Sequence, residues 1–229
     1  MERVEQMKLD ELSVTEMNSR ERSRMNIVLD LDNTLICACT PYEYNKIPKT
    51  YQKNFVHYDL DGEFRIFARP DLQDFLDFLF ENFNVSVFTA AEYDYALFII
   101  NHFLLTKPER KLNYFFHRYH VEIGEKRYGD PQIKDLRIYW EYFKIPGFFP
   151  CNTLIVDDLP DVQEVNPLNT LRVWPFEMVE RGEANINAIY DDVLMKVKAY
   201  LQGLLEEPPS CNGMEQKYRP ALIAPKNFV

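Results

Sequence analysis

No stretch of this chain is long and apolar enough to suggest a membrane span. Its opening, Met1-Glu2-Arg3-Val4-Glu5, alternates acid with base and lacks the apolar core of a secretory signal, so the sequence reads as intracellular. Cysteine is scarce. Cys37, Cys39, Cys151 and Cys211 are too scattered for a disulfide framework or a paired Cys-x-x-Cys zinc site, and they read as reduced thiols. Histidine offers no metal site either: His102 reads as a packed residue, and His117 and His120, at helical spacing, have no third ligand beside them. An excess of positive charge is also missing. With a formal net charge of −10, the chain lacks the clustered Lys and Arg that neutralise nucleic-acid phosphates, which leaves a folded protein or a small ligand as partner.

Apolar residues are plentiful by contrast. A 229-residue chain that is 46% hydrophobic, with 14 Tyr and 17 Phe, can bury one sizeable core. It divides into a charged extension over 1–24, a domain over 25–207 and a Pro-rich tail over 208–229. The extension reads as a frayed or docked helix or as disorder. The tail, with its short apolar patch Ala221-Leu222-Ile223-Ala224, reads as disordered or as docking on a partner.

The most informative stretch is Asn26-Ile27-Val28-Leu29-Asp30-Leu31-Asp32-Asn33-Thr34-Leu35-Ile36. A short apolar run ending in two acids one residue apart reads as a buried strand that delivers carboxylates to its carboxyl end, where open α/β sheets place their ligands. Two acids so close repel each other, and a cation or phosphate chemistry gives them a use. The alternative is a plain acidic turn. An insertion over about 40–68 follows, in which Asp61-Gly62 separates two β-prone runs and predicts a hairpin. Its rings, Phe55, Tyr58 and Phe64 among them, serve either core packing or an exposed recognition surface.

Arg69-Pro70-Asp71 then opens a helix carrying Leu72, Phe75, Leu76 and Leu79 at helical spacing. Asn84 to Phe88 is a second core strand that delivers Thr89, which either donates to a phosphoryl oxygen or caps the next helix, from about Tyr93 to Leu105. Asn113 to Pro131 reads as irregular, and Lys134-Asp135-Leu136 introduces a short helix. Thr153-Leu154-Ile155-Val156 is a buried strand with Asp157 and Asp158 at its carboxyl end, mirroring Asp30 and Asp32. Leu171 to Trp174 is the last strand, and Ile186 to Leu204 one long amphipathic helix. Strands alternating with helices predict an α/β fold: a doubly wound, mostly parallel sheet with a small antiparallel β insertion after the first strand.

Asp30-Leu31-Asp32-Asn33-Thr34 resembles the Asp-x-Asp-x-Thr motif of the haloacid-dehalogenase superfamily. Phe88-Thr89-Ala90-Ala91, Ile133-Lys134-Asp135-Leu136 and Ile155-Val156-Asp157-Asp158-Leu159-Pro160 follow in the order found in phosphatases of the RNA polymerase II C-terminal domain, the nuclear-LIM-interactor-interacting-factor-like branch. This resemblance implies an Mg²⁺-dependent phosphomonoester hydrolase acting on phosphoserine or phosphothreonine in protein, through an aspartyl-phosphate. Asp30 is then the nucleophile and Asp32 the acid and base, while Thr89 and Lys134 contact the phosphoryl oxygens. The metal set is Asp30, Asp32 through its carbonyl, and Asp158, with Asp157 beside it and oriented by Lys134. Smaller relatives often carry Asn in place of Asp158, so an extra negative charge stands here. The resemblance also implies that the insertion binds an extended phosphopeptide through Phe55, Tyr58 and Phe64. A phosphatase of small metabolites and a non-catalytic protein-binding module are the alternatives on the same fold.

Overall fold

The structure, a computed structural model, describes residues 24–206 and 222–226, so the readings of the N-terminal extension and of most of the tail lie outside the described residues. Strand β1 (Asn26–Leu29) leads through a tight loop to β2 (Ile36–Cys39), and the hairpin β3 (His57–Leu60) and β4 (Phe64–Ala68) follows. Helix α1 (Leu72–Asn82), strand β5 (Asn84–Phe88), helix α2 (Tyr93–Ile99), strand β6 (Phe115–Phe116) and helix α3 (Arg118–Tyr128) come next. The chain then forms β7 (Thr153–Asp157), α4 (Pro160–Val165), β8 (Thr170–Arg172), the short hairpin β9 (Val179–Glu180) and β10 (Glu183–Ala184), and α5 (Val193–Glu206).

The central sheet runs in the order β6-β5-β1-β7-β8 with every pairing parallel, while β2-β4-β3 is a separate antiparallel sheet. From β1 the chain builds outward through β5 to β6, then returns to the other side of β1 with β7. The strand order therefore reverses between β1 and β7, and such a switch point opens a crevice at the carboxyl ends of the strands. Side chains alternate across this sheet with period two. Ile27, Leu29, Val85, Val87, Leu154 and Val156 face one core with α1 and α5, whereas Val28, Phe88 and Ile155 face a second, aromatic core with Tyr139 and Phe148. Burial on both faces explains why the strands are continuous apolar runs, each large side chain contributing about 1.5–3 kcal/mol.

Several local readings change. The segment expected to be irregular holds β6 and α3, because a two-residue edge strand and a largely charged helix give weak periodic signals. Arg69-Pro70-Asp71 precedes α1 rather than opening it, with Asp71 at a left-handed φ of 62°. The helix after Lys134 is a π turn at Ile138–Tyr142, and a second π turn, Ile100–Leu104, continues α2. The last long helix begins at Val193 instead of Ile186, since Asp191 Oδ1 accepts from the Val193 amide and starts it there, leaving Ile186 63% exposed.

Cys37 and Cys39 are free buried thiols, but Cys151 is disulfide-bonded, which corrects the reading of it as reduced. Residues 222–226 return to the domain: the Trp174 amide donates to the Ile223 carbonyl at 2.8 Å, and the Ile223 amide to Arg172 at 3.0 Å. The described part of the apolar patch, Leu222 to Ala224, thus docks on the chain's own sheet edge through Ile223. Among the described residues no helix is long and apolar enough to cross a membrane.

Candidate active site

The acids meet at the switch point. The Asp30 amide donates to the Val156 carbonyl at 3.1 Å, extending the β1–β7 ladder by one residue and aiming the carboxylate at the end of β7. The chain then turns sharply: the Leu35 and Ile36 amides both donate to the Leu31 carbonyl, and Asn33 takes a left-handed φ of 56°, which Asn tolerates better than most residues. This turn brings the Thr34 hydroxyl back between two carboxylates, 3.0 Å from Asp30 Oδ2 and 3.3 Å from Asp158 Oδ1.

Lys134 reaches the same point from the loop before the Ile138–Tyr142 turn. Its Nζ lies 2.6 Å from Asp30 Oδ1 and 2.7 Å from Asp157 Oδ2, with the side chain only 3% exposed. Burial opposes a charge there, yet the Asp157 and Asp30 carboxylates outweigh it and hold the ammonium above the usual lysine range. Asp157, wholly buried, is pushed up by desolvation against the pull of Lys134. Both of its oxygens are engaged, one by Lys134 and the other by the Leu159 amide at 2.9 Å.

Burial first, then the charge of Asp30, pushes the Asp158 carboxyl up to about 6. Asp30, Asp157 and Asp158 each place a carboxylate oxygen within 4.8 Å of the others. Asp30 and Asp158 share the Thr34 hydroxyl, which makes them the pair turned toward a common point, whereas Asp157 is held by Lys134 and the Leu159 amide. Hard oxygen donors in excess over the single Lys134 cation suit a divalent cation, so the residues present fit one.

Asp32 stands at the rim, half-buried. Desolvation and then the neighbouring Asp30 charge outweigh a donated hydrogen bond from the Tyr95 hydroxyl, and its carboxyl rises to about 6. A carboxyl near that value exchanges its proton close to neutral pH. Thr89, 1% exposed at the end of β5, accepts from the Ala91 amide at 3.1 Å. This is a local turn contact and not the expected helix cap, since the N-cap of α2 is Glu92 with no side-chain cap bond; because the oxygen is the acceptor, the hydroxyl proton is left for another partner.

The insertion rings separate. Phe64 packs edge-on against Tyr95 at 6.1 Å, one residue from the acids. Tyr58 lies on His102 and Phe103, further along the α2 segment. Of the two readings of Phe55, core packing holds: it is 7% exposed and packs with Phe67 and Phe176, which takes it out of the substrate-binding set that the resemblance implies. Sequence reasoning passed over Thr34 and Tyr95 as functional groups. The Thr34 signal lay inside the motif, whereas Tyr95 had no sequence signal beyond its place in the first turn of α2.

Residues 25–210 match the family described as NLI interacting factor-like phosphatase. The CTD phosphatase-like protein 355R of Invertebrate iridescent virus 6 is 39% identical over 181 residues, covering 77% of this chain and 96% of the viral protein. A protein of the same name from Invertebrate iridescent virus 3 is 37% identical over 183 residues, covering 77% and 94%. Among solved structures, that of Fcp1, described as an essential RNA polymerase II CTD phosphatase, shares the fold at a TM-score of 0.51 and 20% identity. That match covers 89% of this chain and 53% of the other, so the chain spans about half the length of the solved structure.

Proposed function

The chain belongs to the NLI interacting factor-like phosphatase family, and from that premise we propose that it is an Mg²⁺-dependent protein phosphoserine/phosphothreonine phosphatase working through an aspartyl-phosphate on Asp30. The observation that carries this reading is the setting of Asp30. One oxygen is held by Lys134 at 2.6 Å and the other by Thr34 at 3.0 Å, at the carboxyl end of the central strand.

A carboxylate so fixed is aimed rather than free to rotate, which lowers the entropy cost of attack. Asp30 forms a bond to phosphorus as the ester bond to the serine or threonine oxygen breaks, and Asp32 gives its proton to the departing alkoxide. Asp32, now ionised, takes a proton from the water that attacks phosphorus in the second step. The Asp30–phosphorus bond then breaks, giving inorganic phosphate and the free carboxylate. Lys134 and the Thr89 hydroxyl stabilise the phosphoryl oxygens in both steps. Asp30, Asp158 and the Asp32 carbonyl would hold Mg²⁺, which when bound offsets charge on the transferring group. Asp157, locked between Lys134 and the Leu159 amide, orients that cluster.

An extended phosphopeptide of the C-terminal-domain type is the substrate class, with Phe64 and Tyr95 the rings nearest the acids. The test is a panel of phosphopeptides and phosphometabolites assayed in Mg²⁺ with wild-type protein and Asp30→Asn. The expected result is peptide preference and a loss on the order of three decades in the variant. A variant retaining the wild-type rate would sink the assignment, and a preference for metabolites would move the substrate class.

A further inference from the structure

Arg69 is among the largest fully buried side chains of the described residues, 1% exposed, and nothing in the chemistry above uses it. Its guanidinium forks onto Asp191, with Nε 2.9 Å from Oδ1 and Nη2 2.8 Å from Oδ2. That pair alone would neutralise the buried charge. The remaining donors go elsewhere: Nη1 to the Thr34 carbonyl at 3.0 Å and Nη2 to the Trp174 carbonyl at 2.8 Å. The Arg69 amide also donates to the Leu35 carbonyl at 3.0 Å, and Phe176, whose ring lies 5.6 Å from the guanidinium, donates its amide to the Asn33 carbonyl at 2.7 Å.

Three consecutive carbonyls of the acid-bearing loop, at Asn33, Thr34 and Leu35, are therefore gripped from outside the loop. Two of the three grips belong to Arg69. The Thr34 carbonyl that Arg69 holds is the backbone of the residue whose hydroxyl sits between Asp30 and Asp158. A structural ion pair needs none of this, since a buried pair can often be replaced by apolar groups at little cost. A planar fork can meet several fixed acceptors at once, which a lysine ammonium on one flexible stem does not reproduce.

Resting on the phosphatase reading, we infer that Arg69 is a positioning residue of this site: it sets the Thr34 backbone, and through it the hydroxyl that aligns Asp30 with Asp158. A displacement of about 1 Å at a positioned group costs on the order of a hundredfold in rate. Asp191 serves the other end of the same junction, pairing with Arg69 and starting α5 through the Val193 amide at 3.0 Å.

The two ends can be tested apart. Arg69→Lys keeps a cation for Asp191 and loses the Nη1 bond to the Thr34 carbonyl, whereas Asp191→Asn keeps that bond and loses the ion pair. Steady-state kinetics on an aryl phosphate in Mg²⁺, below the lowest Tm of the set, should show kcat down about thirtyfold for Arg69→Lys with KM within threefold, as expected for lost alignment. Asp191→Asn should keep kcat within about threefold while its Tm falls at least as far. Adding Thr34→Val to Arg69→Lys should cost less than about threefold more, because both changes disable one alignment.

A wild-type kcat in Arg69→Lys overturns the inference, as do kcat losses that simply track Tm in both variants or a full multiplicative loss in the double variant. Failure of Arg69→Lys to fold while Asp191→Asn folds also overturns it, by making the side chain structural. An inactive wild-type protein sinks the phosphatase reading and this inference together, whereas an active one with an indifferent Arg69→Lys sinks the inference alone.

Discussion

Lys134 is the one cation among three buried acids, and replacing it with Met removes charge at nearly constant volume. Its Nζ touches Asp30 at 2.6 Å and Asp157 at 2.7 Å, so the variant leaves those carboxylates and Asp158 buried without the cation that pairs with them. Deleting one partner of a buried pair costs about 3–5 kcal/mol. For a domain of this size each kcal/mol moves Tm by roughly 2–4 °C, so a fall of roughly 6–20 °C is expected in metal-free buffer at pH 8.

The loss should depend on pH, with a definite sign. Burial already lifts Asp158 to about 6 from 3.8 with Lys134 present, and removing the cation lifts it and Asp157 further. A carboxyl raised in the folded state contributes stability that is fully present below its unfolded value and lost as pH rises through its folded value. At pH 5.5 Asp157 and Asp158 of the variant are therefore largely protonated, and the penalty relative to wild type shrinks. Urea unfolding at pH 8 and pH 5.5 with chelator, for wild type and Lys134→Met, measures both quantities. Equal penalties at the two pH values, or none at pH 8, would refute the reasoning.

Asp158→Ala should raise the Mg²⁺ concentration for half-maximal activity, while Asp157→Ala should act through kcat, since both Asp157 oxygens are engaged within the protein; a larger metal defect in Asp157→Ala reverses the two roles. Tyr95→Phe removes a donor that stabilises ionised Asp32, so the alkaline limb of the kcat–pH profile on a phosphoserine peptide should move up by about half to one unit. A limb that stays put or moves down contradicts that contact. Phe64→Ser should lower phosphopeptide kcat/KM about tenfold and leave aryl phosphate turnover within about threefold, because remote binding energy is lost. Equal losses on both substrates make the ring structural. Excising the whole hairpin is not the cleaner test, since Phe67 within it is fully buried.

The parts of the fold legible in the sequence were those with strong, short-range patterns. The β1 and β7 runs are apolar on both faces, and Asp61-Gly62 marks the β3–β4 turn with both residues at positive φ. The acids were legible because strand ends announce them. What escaped depends on contacts between distant segments. Tyr95 meets Asp32 across 63 positions, Arg69 meets Asp191 across 122, and β6 becomes a strand only by pairing with β5. Phe55 escaped for the opposite reason. Nothing in an aromatic-rich insertion distinguishes a ring facing solvent from one facing Phe176 until the 176–190 segment folds beneath it.

Trapping the covalent intermediate tests the central claim most directly. Protein turning over a phosphopeptide in Mg²⁺ is quenched in acid, reduced with borohydride and mapped by mass spectrometry, since reduction converts an aspartyl-phosphate to homoserine. The account predicts homoserine at position 30 only, absent without substrate. Homoserine at position 32 or 158, or active protein that yields none under conditions that trap an aspartyl-phosphate control, would contradict it.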